Sequence, residues 1–349
     1  MIRVCALDAT NAAAWDEFVA GRPEATFFHQ SAWPGLIARV FGHRDRSVLA
    51  LQDGAVVGVL PLVETRSLLF GHAITSLPFC VQAGPLAAEA AAGQALTAHA
   101  AALLAERGAD ALELRGDAPL PEEWLADPAA WPVRDDLYAV FRRPIAAEDE
   151  ANLKAIPRKQ RAMVRKGIEL GLSWQAGNDV DTAHRIYGES VRNLGTPVFP
   201  KRWFAALLAA FPGAADTVVV RDGEAPLAAV LNFYWRDQVL PYYGGGTAAA
   251  RGRYGNDFLY WAVMRHAAAR GARLFDFGRS KHGTGAFAFK KNWGFEPAPL
   301  SYRFRLKPGA AIPEHNPLNP KYRLMIAAWK RLPLPVASLL GPRLVRSLG

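Results

Sequence analysis

One short pattern occurs twice in the chain and limits its fold more than any other feature. Asp53-Gly54 lies between apolar runs at residues 47–51 and 56–62, and Asp222-Gly223 lies between similar runs at 217–220 and 227–235. An Asp-Gly pair in that setting predicts a β-hairpin, because the tight turn needs positive φ and these residues supply it. Each hairpin is followed by an irregular stretch and then by a predicted helix, over 91–107 and 257–270. Each helix closes on Arg-Gly-Ala, at Arg107-Gly108-Ala109 and Arg270-Gly271-Ala272. Glycine there ends a helix in a left-handed cap and lets the chain turn back into a sheet. A short strand comes next, with a carboxylate at the same place, Glu113 or Asp276. The matching order predicts a duplicated α/β unit.

Length agrees with this, since 349 residues hold two or three domains of about 100–200 residues each. A polar run at 145–150 marks the join, and Pro308, Pro313, Pro317 and Pro320 mark a second change. The predicted organisation is a first domain over 1–147, a second over 148–307, and a Pro-rich linker with a basic tail over 308–349. With 51% hydrophobic and 21% charged residues, the chain is globular. Its net charge of +9 favours an anionic partner, for which nucleic acid, phosphorylated sugar carriers and a membrane surface all qualify. Cys5 and Cys80 are the whole cysteine content, too few for a disulfide framework or a cysteine-built zinc site. The eight histidines lack ligand spacing, so no metal is expected. Asp8, Asp16 and Glu17 stand where the apolar core of a secretory leader would sit. Residues 67–88 are uncharged, but Gly71, Pro78, Gly84 and Pro85 would break a helix there in lipid. A soluble, cytoplasmic protein is expected.

Several signals of known chemistry are absent: there is no Walker loop, no His-Glu-x-x-His and no Gly-x-Ser-x-Gly. Residues 244–249 match a permissive dinucleotide string, yet no acid follows where a ribose partner is needed. Residues 251–255 come near the acetyl-CoA signature Gln/Arg-x-x-Gly-x-Gly/Ala, but Tyr254 stands where the first glycine belongs. The informative region is 242–295. Tyr242-Tyr243-Gly244-Gly245-Gly246 ends a predicted strand in aromatic residues and then lets the backbone approach something closely. Asn256 or Asp257 is expected to cap a helix that begins at Phe258. Residues 278–285 read as a polar, glycine-rich loop in which Arg279, Ser280, Lys281 and exposed amides suit phosphate oxygens. A solvated basic turn fits the same residues.

The string Phe-Asp-Phe-Gly-Arg-Ser at 275–280, followed by Phe289-Lys290-x-x-Trp293-Gly294-Phe295, resembles the C-terminal signature of the FemAB/FemX family. Those peptidyltransferases are built from two tandem acetyltransferase-like (GNAT) domains. Phe28-His29-Gln30-Ser31-Ala32-Trp33, Gly-Thr-Pro-Val-Phe-Pro at 195–200 and Asn-Pro-Leu-Asn-Pro-Lys-Tyr at 316–322 are similar to the branch associated with exosortase/PEP-CTERM systems. The resemblance covers nearly the whole chain. It implies an α/β protein of two tandem GNAT-like domains, with mixed sheets flanked by helices. It also implies an acyl- or aminoacyl-transferase in which the Lys290 ammonium stabilises charge on the attacked carbonyl oxygen or holds phosphate.

The same resemblance makes Arg39 the nearest candidate for a first-domain residue that holds nucleotide-sugar phosphates. Thr196 and Lys201 fall where the second domain contributes to an acceptor cleft, flanked by Tyr243 and Asn256. Gly244, Gly245, Arg279, Ser280 and Phe289 complete the expected substrate-binding set. His29 and Trp33 read equally as core. No tightly bound cofactor is expected, and the donor is aminoacyl-tRNA or acyl-CoA. The acceptor is an amine on a cell-envelope or exopolysaccharide-related substrate. The coiled-coil insertion of the tRNA-using members is absent, which leaves the donor open. The alternatives are an N-acyltransferase using acyl-CoA or acyl carrier protein, and a non-catalytic binding module of an exopolysaccharide or sorting assembly.

Basic residues cluster twice. Lys154, Arg158, Lys159, Arg161, Arg165 and Lys166 occur with no acid across 151–168, and three of the arginines share one helical face. That face fits either a solvated surface or a guide for a polyanion such as tRNA. From His315 onward, Lys321, Arg323, Lys330, Arg331, Arg343 and Arg346 occur without an acid. Leu324, Met325, Ala328 and Trp329 form one predicted apolar stripe there. It is expected either to dock on the protein or to anchor it peripherally at the inner membrane.

Overall fold

The computed structural model describes residues 1–67, 71–313 and 320–347. Among these residues the strands form three sheets, and the chain divides into two compact units.

The first unit takes residues 1–138 and the strand Ser301–Leu306. Its hairpin is Val48–Gln52 against Ala55–Leu60, with Asp53 at φ 50° and Gly54 at φ 86° in the turn. These strands belong to a four-stranded sheet, while a six-stranded sheet holds Gly71–Thr75 parallel to Ala111–Gly116. The helix Ala90–Arg107 buries Leu96, Ala100 and Leu103 in the same core as Leu60, Leu62 and Leu112. Burying each leucine contributes about 1.5–3 kcal/mol, so packing holds this helix more than propensity does. Gly108 ends it at φ 62°, in the expected left-handed cap.

The second unit takes residues 139–298 and the helices Pro320–Arg331 and Leu334–Val345. Its hairpin is Ala215–Asp222 against Ala225–Trp235, within a seven-stranded sheet. After the helix Gly255–Ala269 the chain passes Gly271, at φ 86°, into the strand Leu274–Lys281. Hairpin, helix, left-handed glycine and strand therefore recur in both units. The second core gathers Phe141, Phe275, Phe277, Trp293 and Phe295.

The boundaries differ from those read at 147/148 and 307. Tyr138–Pro144 joins the sheet of the second unit, and Ser301–Leu306 returns to the first. There it pairs antiparallel with Ala111–Gly116, from Ser301↔Gly116 to Leu306↔Ala111. Sheet membership is decided by the pairing partner, which local composition does not reveal. The polar run at 145–150 marks only the turn into the helix Asp149–Ala155.

The C-terminal helices dock on the helix Val180–Leu194 of the same unit. Trp329 is buried, and its Nε1 donates to the Thr196 carbonyl at 3.2 Å. A Cβ at Gly195 would come within 2.5 Å of Ile326, and one at Gly341 within 2.8 Å of Val198. The predicted stripe is split, because Trp329 turns inward while Leu324, Met325 and Ala328 stay exposed. Residues 316–319, with Pro317 and most of the string at 316–322, lie outside the described residues, as do 68–70 of the uncharged stretch. No helix among the described residues is long and apolar enough to cross a membrane.

Candidate functional site

Two parallel strands of the second unit part company, and the candidate site lies along their divergence. Gln238–Gly246 and Leu274–Lys281 pair at Gln238↔Leu274 and Val239↔Phe275, where the ladder stops. A register shift between Leu231 and Asn232 on the neighbouring Ala225–Trp235 strand adds local twist. Openings beyond the carboxyl ends of parallel strands are where α/β sheets hold ligands.

Lys290 belongs to the second of these strands by hydrogen bonding. It lies on the helix Gly285–Asn292, whose N-cap Thr284 accepts from the Phe287 amide. Its side chain is buried, and Nζ donates to the carbonyls of Gly278 and Arg279, both at 3.0 Å. The ammonium lies 5.5 Å from the ring centroids of Phe141 and Phe277. Burial lowers its pKa to about 7; the Asp276 carboxylate opposes that shift and Arg279 adds to it. Asp276 itself accepts from Arg142 Nε at 2.8 Å and from the Gly278 amide at 2.7 Å. An ammonium has three N–H donors, so two are spent on the strand and one is left. In surroundings of low polarity its charge acts more strongly than in water.

An aromatic frame surrounds this lysine. Trp293 Nε1 donates to Asp257 Oδ1 at 3.0 Å, and the Phe289 ring lies 5.7 Å from Tyr260 and 6.1 Å from Phe277. Burial pushes the Tyr260 phenol up to about 12, with the Asp257 charge adding to it. Burial also raises the Asp257 carboxyl, against the lowering effect of its Trp293 hydrogen bond. Tyr260 and the Asp257–Trp293 link were not among the expected site residues. No local signal joins them, because the partners lie far apart in sequence.

The remaining expected residues fall into separate settings. Residues 278–285 are not one loop, since the strand runs to Lys281 and the next helix begins at Gly285. Arg279 is half-buried, and Ser280 is buried with no hydrogen-bond partner for Oγ among the described residues. Tyr243 is core: its ring packs on Tyr187, Phe199 and Phe204, and its Oη accepts from Trp203 Nε1 at 3.1 Å. The close approach predicted at the glycines is internal. A Cβ would meet Val230 at 2.8 Å from Gly244 and Ser190 at 2.3 Å from Gly245. Asn256 Oδ1 fills the corresponding space at Gly246, also at 2.3 Å. The helix carrying Asn256 starts earlier than expected, at Gly255, with Tyr254 as N-cap at φ 59°.

Thr196 is exposed, but its amide donates to Val191 and its carbonyl accepts from Trp329. Lys201 begins the helix Lys201–Ala210 and pairs with Asp181. Neither makes a hydrogen bond or ion pair with Lys290. Arg39 is exposed on the helix Ala32–Phe41 of the first unit. Trp33 and His29 are core there: Trp33 Nε1 donates to Phe27 O at 3.0 Å, and burial lowers His29 to about 4. The basic helix Arg158–Glu169 turns Val164 and Gly167 inward and exposes Arg158, Lys159, Arg165 and Lys166.

Residues 152–291, a span that contains Lys290 and both diverging strands, match the acetyltransferase (GNAT) domain model. The crystal structure of FemX superposes with a TM-score of 0.66 at 15% identity, over 93% of this chain and 100% of that one. A tandem GNAT protein from the clavulanic acid biosynthesis pathway gives 0.56 at 15% identity, over 90% and 100%. This chain has the tandem GNAT fold. L-PGS from Bacillus licheniformis also superposes, with a TM-score of 0.56 at 12% identity over 97% and 98%. No curated protein matches the sequence at a significant level. In tandem GNAT terms, the two units are the two repeats, and the family model falls on the second.

Proposed function

We propose that this tandem GNAT protein is a FemX-type transferase that joins an amine to an activated acyl group, with Lys290 stabilising the oxyanion. One observation carries the reading: a buried lysine in the GNAT-matched segment has two N–H groups fixed on the backbone and a third unspent. The acceptor nitrogen attacks the carbonyl carbon, a C–N bond forms and the carbonyl electron pair moves onto oxygen. That oxygen takes the remaining Lys290 N–H, whose position is set before the reaction. Collapse expels the donor's alcohol or thiol, and the amine proton passes to substrate phosphate or solvent.

We read the donor as an aminoacyl ester of tRNA rather than acyl-CoA. A CoA pyrophosphate would favour an open helix N-terminus. Here the N-cap Tyr254 of the helix Gly255–Ala269 makes no side-chain cap hydrogen bond, but Asp257 puts an acid into the first turn, and that charge opposes a pyrophosphate there. The exposed arginines and lysines of Arg158–Glu169 offer a track for nucleic-acid phosphates. Membership of the exosortase-associated branch rests on the strings at 28–33 and 195–200. It would place the acceptor amine on a cell-envelope or exopolysaccharide precursor at the cytoplasmic face of the inner membrane.

Mass spectrometry of reactions with aminoacyl-tRNA or acyl-CoA and an amino-sugar or lysyl-peptide acceptor tests this. Amide product from aminoacyl-tRNA, lost in Lys290→Ala, is expected. Product from acyl-CoA alone would replace the donor. Absence of product with either donor class would favour a binding module.

A further inference from the structure

The first unit contains a cavity of about 240 Å3, apart from the site described above. Much of its wall is apolar, with Pro85, Leu86, Leu114, Leu120 and Trp124 among the lining residues. Ser301 and Arg303 of the strand Ser301–Leu306 also line it. Residues two apart on a strand share a face, and their cross-strand neighbours are Gly116 and Leu114. Gly116 brings no side chain to the space beside Ser301.

Both polar side chains are more than nine-tenths buried, at 7% exposure for Ser301 and 8% for Arg303. Neither Ser301 Oγ nor Arg303 Nε has a hydrogen-bond partner among the described residues. Arg303 Nη1 donates to the Trp131 carbonyl at 3.1 Å, and the guanidinium makes no ion pair among those residues. Arg115, which also lines the cavity, is in the opposite condition. It is paired with Glu113 and donates to the carbonyls of Leu77 and Cys80. The His29 ring is likewise engaged, with Nδ1 accepting from the Thr26 amide and Nε2 donating to Gly84 O.

A buried cation with no counter-charge is strongly disfavoured until an anion reaches it. Glu24 and Asp117 are exposed at the rim, where they would repel a dianion more than a monoanion. We infer that this cavity binds a small organic monoanion, a carboxylate on an apolar body, with the Arg303 guanidinium as its charged partner and Ser301 beside it. The apolar wall receives the body of the ligand, and the guanidinium with the neighbouring hydroxyl receives its head.

Calorimetric titration of the full chain with hexanoate, butyl phosphate and 1-hexanol tests the assignment. Hexanoate should bind saturably and at least tenfold more tightly than hexanol. Arg303→Met, which keeps the volume and removes the charge, should weaken hexanoate at least tenfold, and Ser301→Ala several-fold. Absence of saturable hexanoate binding, or equal binding by Arg303→Met, would overturn the inference. Preference for butyl phosphate would overturn the carboxylate assignment. If Arg303→Met does not fold, Ser301→Ala decides, because unchanged affinity in that variant removes the site.

Discussion

Trp293 Nε1 donates to Asp257 Oδ1 at 3.0 Å, fastening the C-cap of the Gly285–Asn292 helix to the first turn of Gly255–Ala269. The helix that carries Lys290 is thereby tied to a second helix as well as to the Gly278 and Arg279 carbonyls. A lysine held from both sides keeps its charge in one place, which is what stabilising a developing oxyanion requires.

Lys290→Ala should reduce transfer by about 10²–10³-fold while leaving the fold intact. The pH dependence follows from the folded pKa of about 7, below the ordinary 10.5. If the ammonium is the active form, the rate should fall as pH rises through about 7. Stability should do the reverse. The unfolded chain keeps a proton that the folded one has released, so stability rises with pH from about 7 towards 10.5. Rate profiles and urea midpoints at several pH values check both signs, and a rate that rises through 7 would identify a base instead.

Glu64 is the most heavily paired carboxylate of the first unit. It accepts from Arg46 Nε at 2.9 Å and from Arg66 Nε and His72 Nε2 at 3.0 Å. Burial alone would raise its pKa, but these partners outweigh burial and hold it at about 2. Its stabilisation is complete above the ordinary 4.5 and is lost as pH falls towards about 2. Glu64→Gln removes the charge that partly buried Arg46 and His72 share with it and should cost about 1.5–3 kcal/mol at neutral pH. Urea unfolding measures this, and a loss below about 1 kcal/mol would mean that solvent already shields the cluster.

Gly108→Ala and Gly271→Ala should cost similar amounts. A Cβ at either position meets nothing within 4 Å, so the penalty comes from positive φ alone. About 1–2 kcal/mol is expected for each, read as a shift in thermal or urea unfolding. Strongly unequal costs would contradict equivalent helix ends in the two repeats.

The outer face of the C-terminal helices carries Leu324, Met325 and Leu339 beside Lys330, Arg331 and Arg343. The full chain is expected to sediment with anionic vesicles, and added salt should weaken this by screening. Replacing the three apolar residues by glutamate should abolish it. Equal partitioning of variant and wild type would leave docking on Val180–Leu194 as the tail's whole role.

The repeated fold was legible because its marks are local. Asp53-Gly54 sets a turn and Gly108 or Gly271 ends a helix, whatever lies elsewhere. Lys290 and Phe289 stood out as candidates because their string is contiguous. Gly244 and Gly245 were correctly read as points of close approach, but a glycine does not name its neighbour. Here the neighbours are Val230 and Ser190. Residues 278–281 look like a loop by composition, yet they belong to the strand Leu274–Lys281, which lies in the sheet between Gln238–Gly246 and Tyr138–Pro144. Ser301 and Arg303 carried no signal at all, since their meaning depends on the strand to which Ser301–Leu306 returns.

That return has a consequence for synthesis. Ser301–Leu306 lies between Ala111–Gly116 and Val133–Arg134 in the sheet of the first unit, so it is an interior strand rather than a trimming at the edge. A ribosome that has passed residue 138 has therefore not finished the first unit, and must make residues 139–298 of the second before supplying the missing piece. Until then the Ala111–Gly116 strand waits with one side unpaired, an open template for a neighbouring nascent chain. The amino-terminal portion of this protein thus waits on a strand made only after residues 139–298, and an expression fragment stopping near residue 147 should be insoluble.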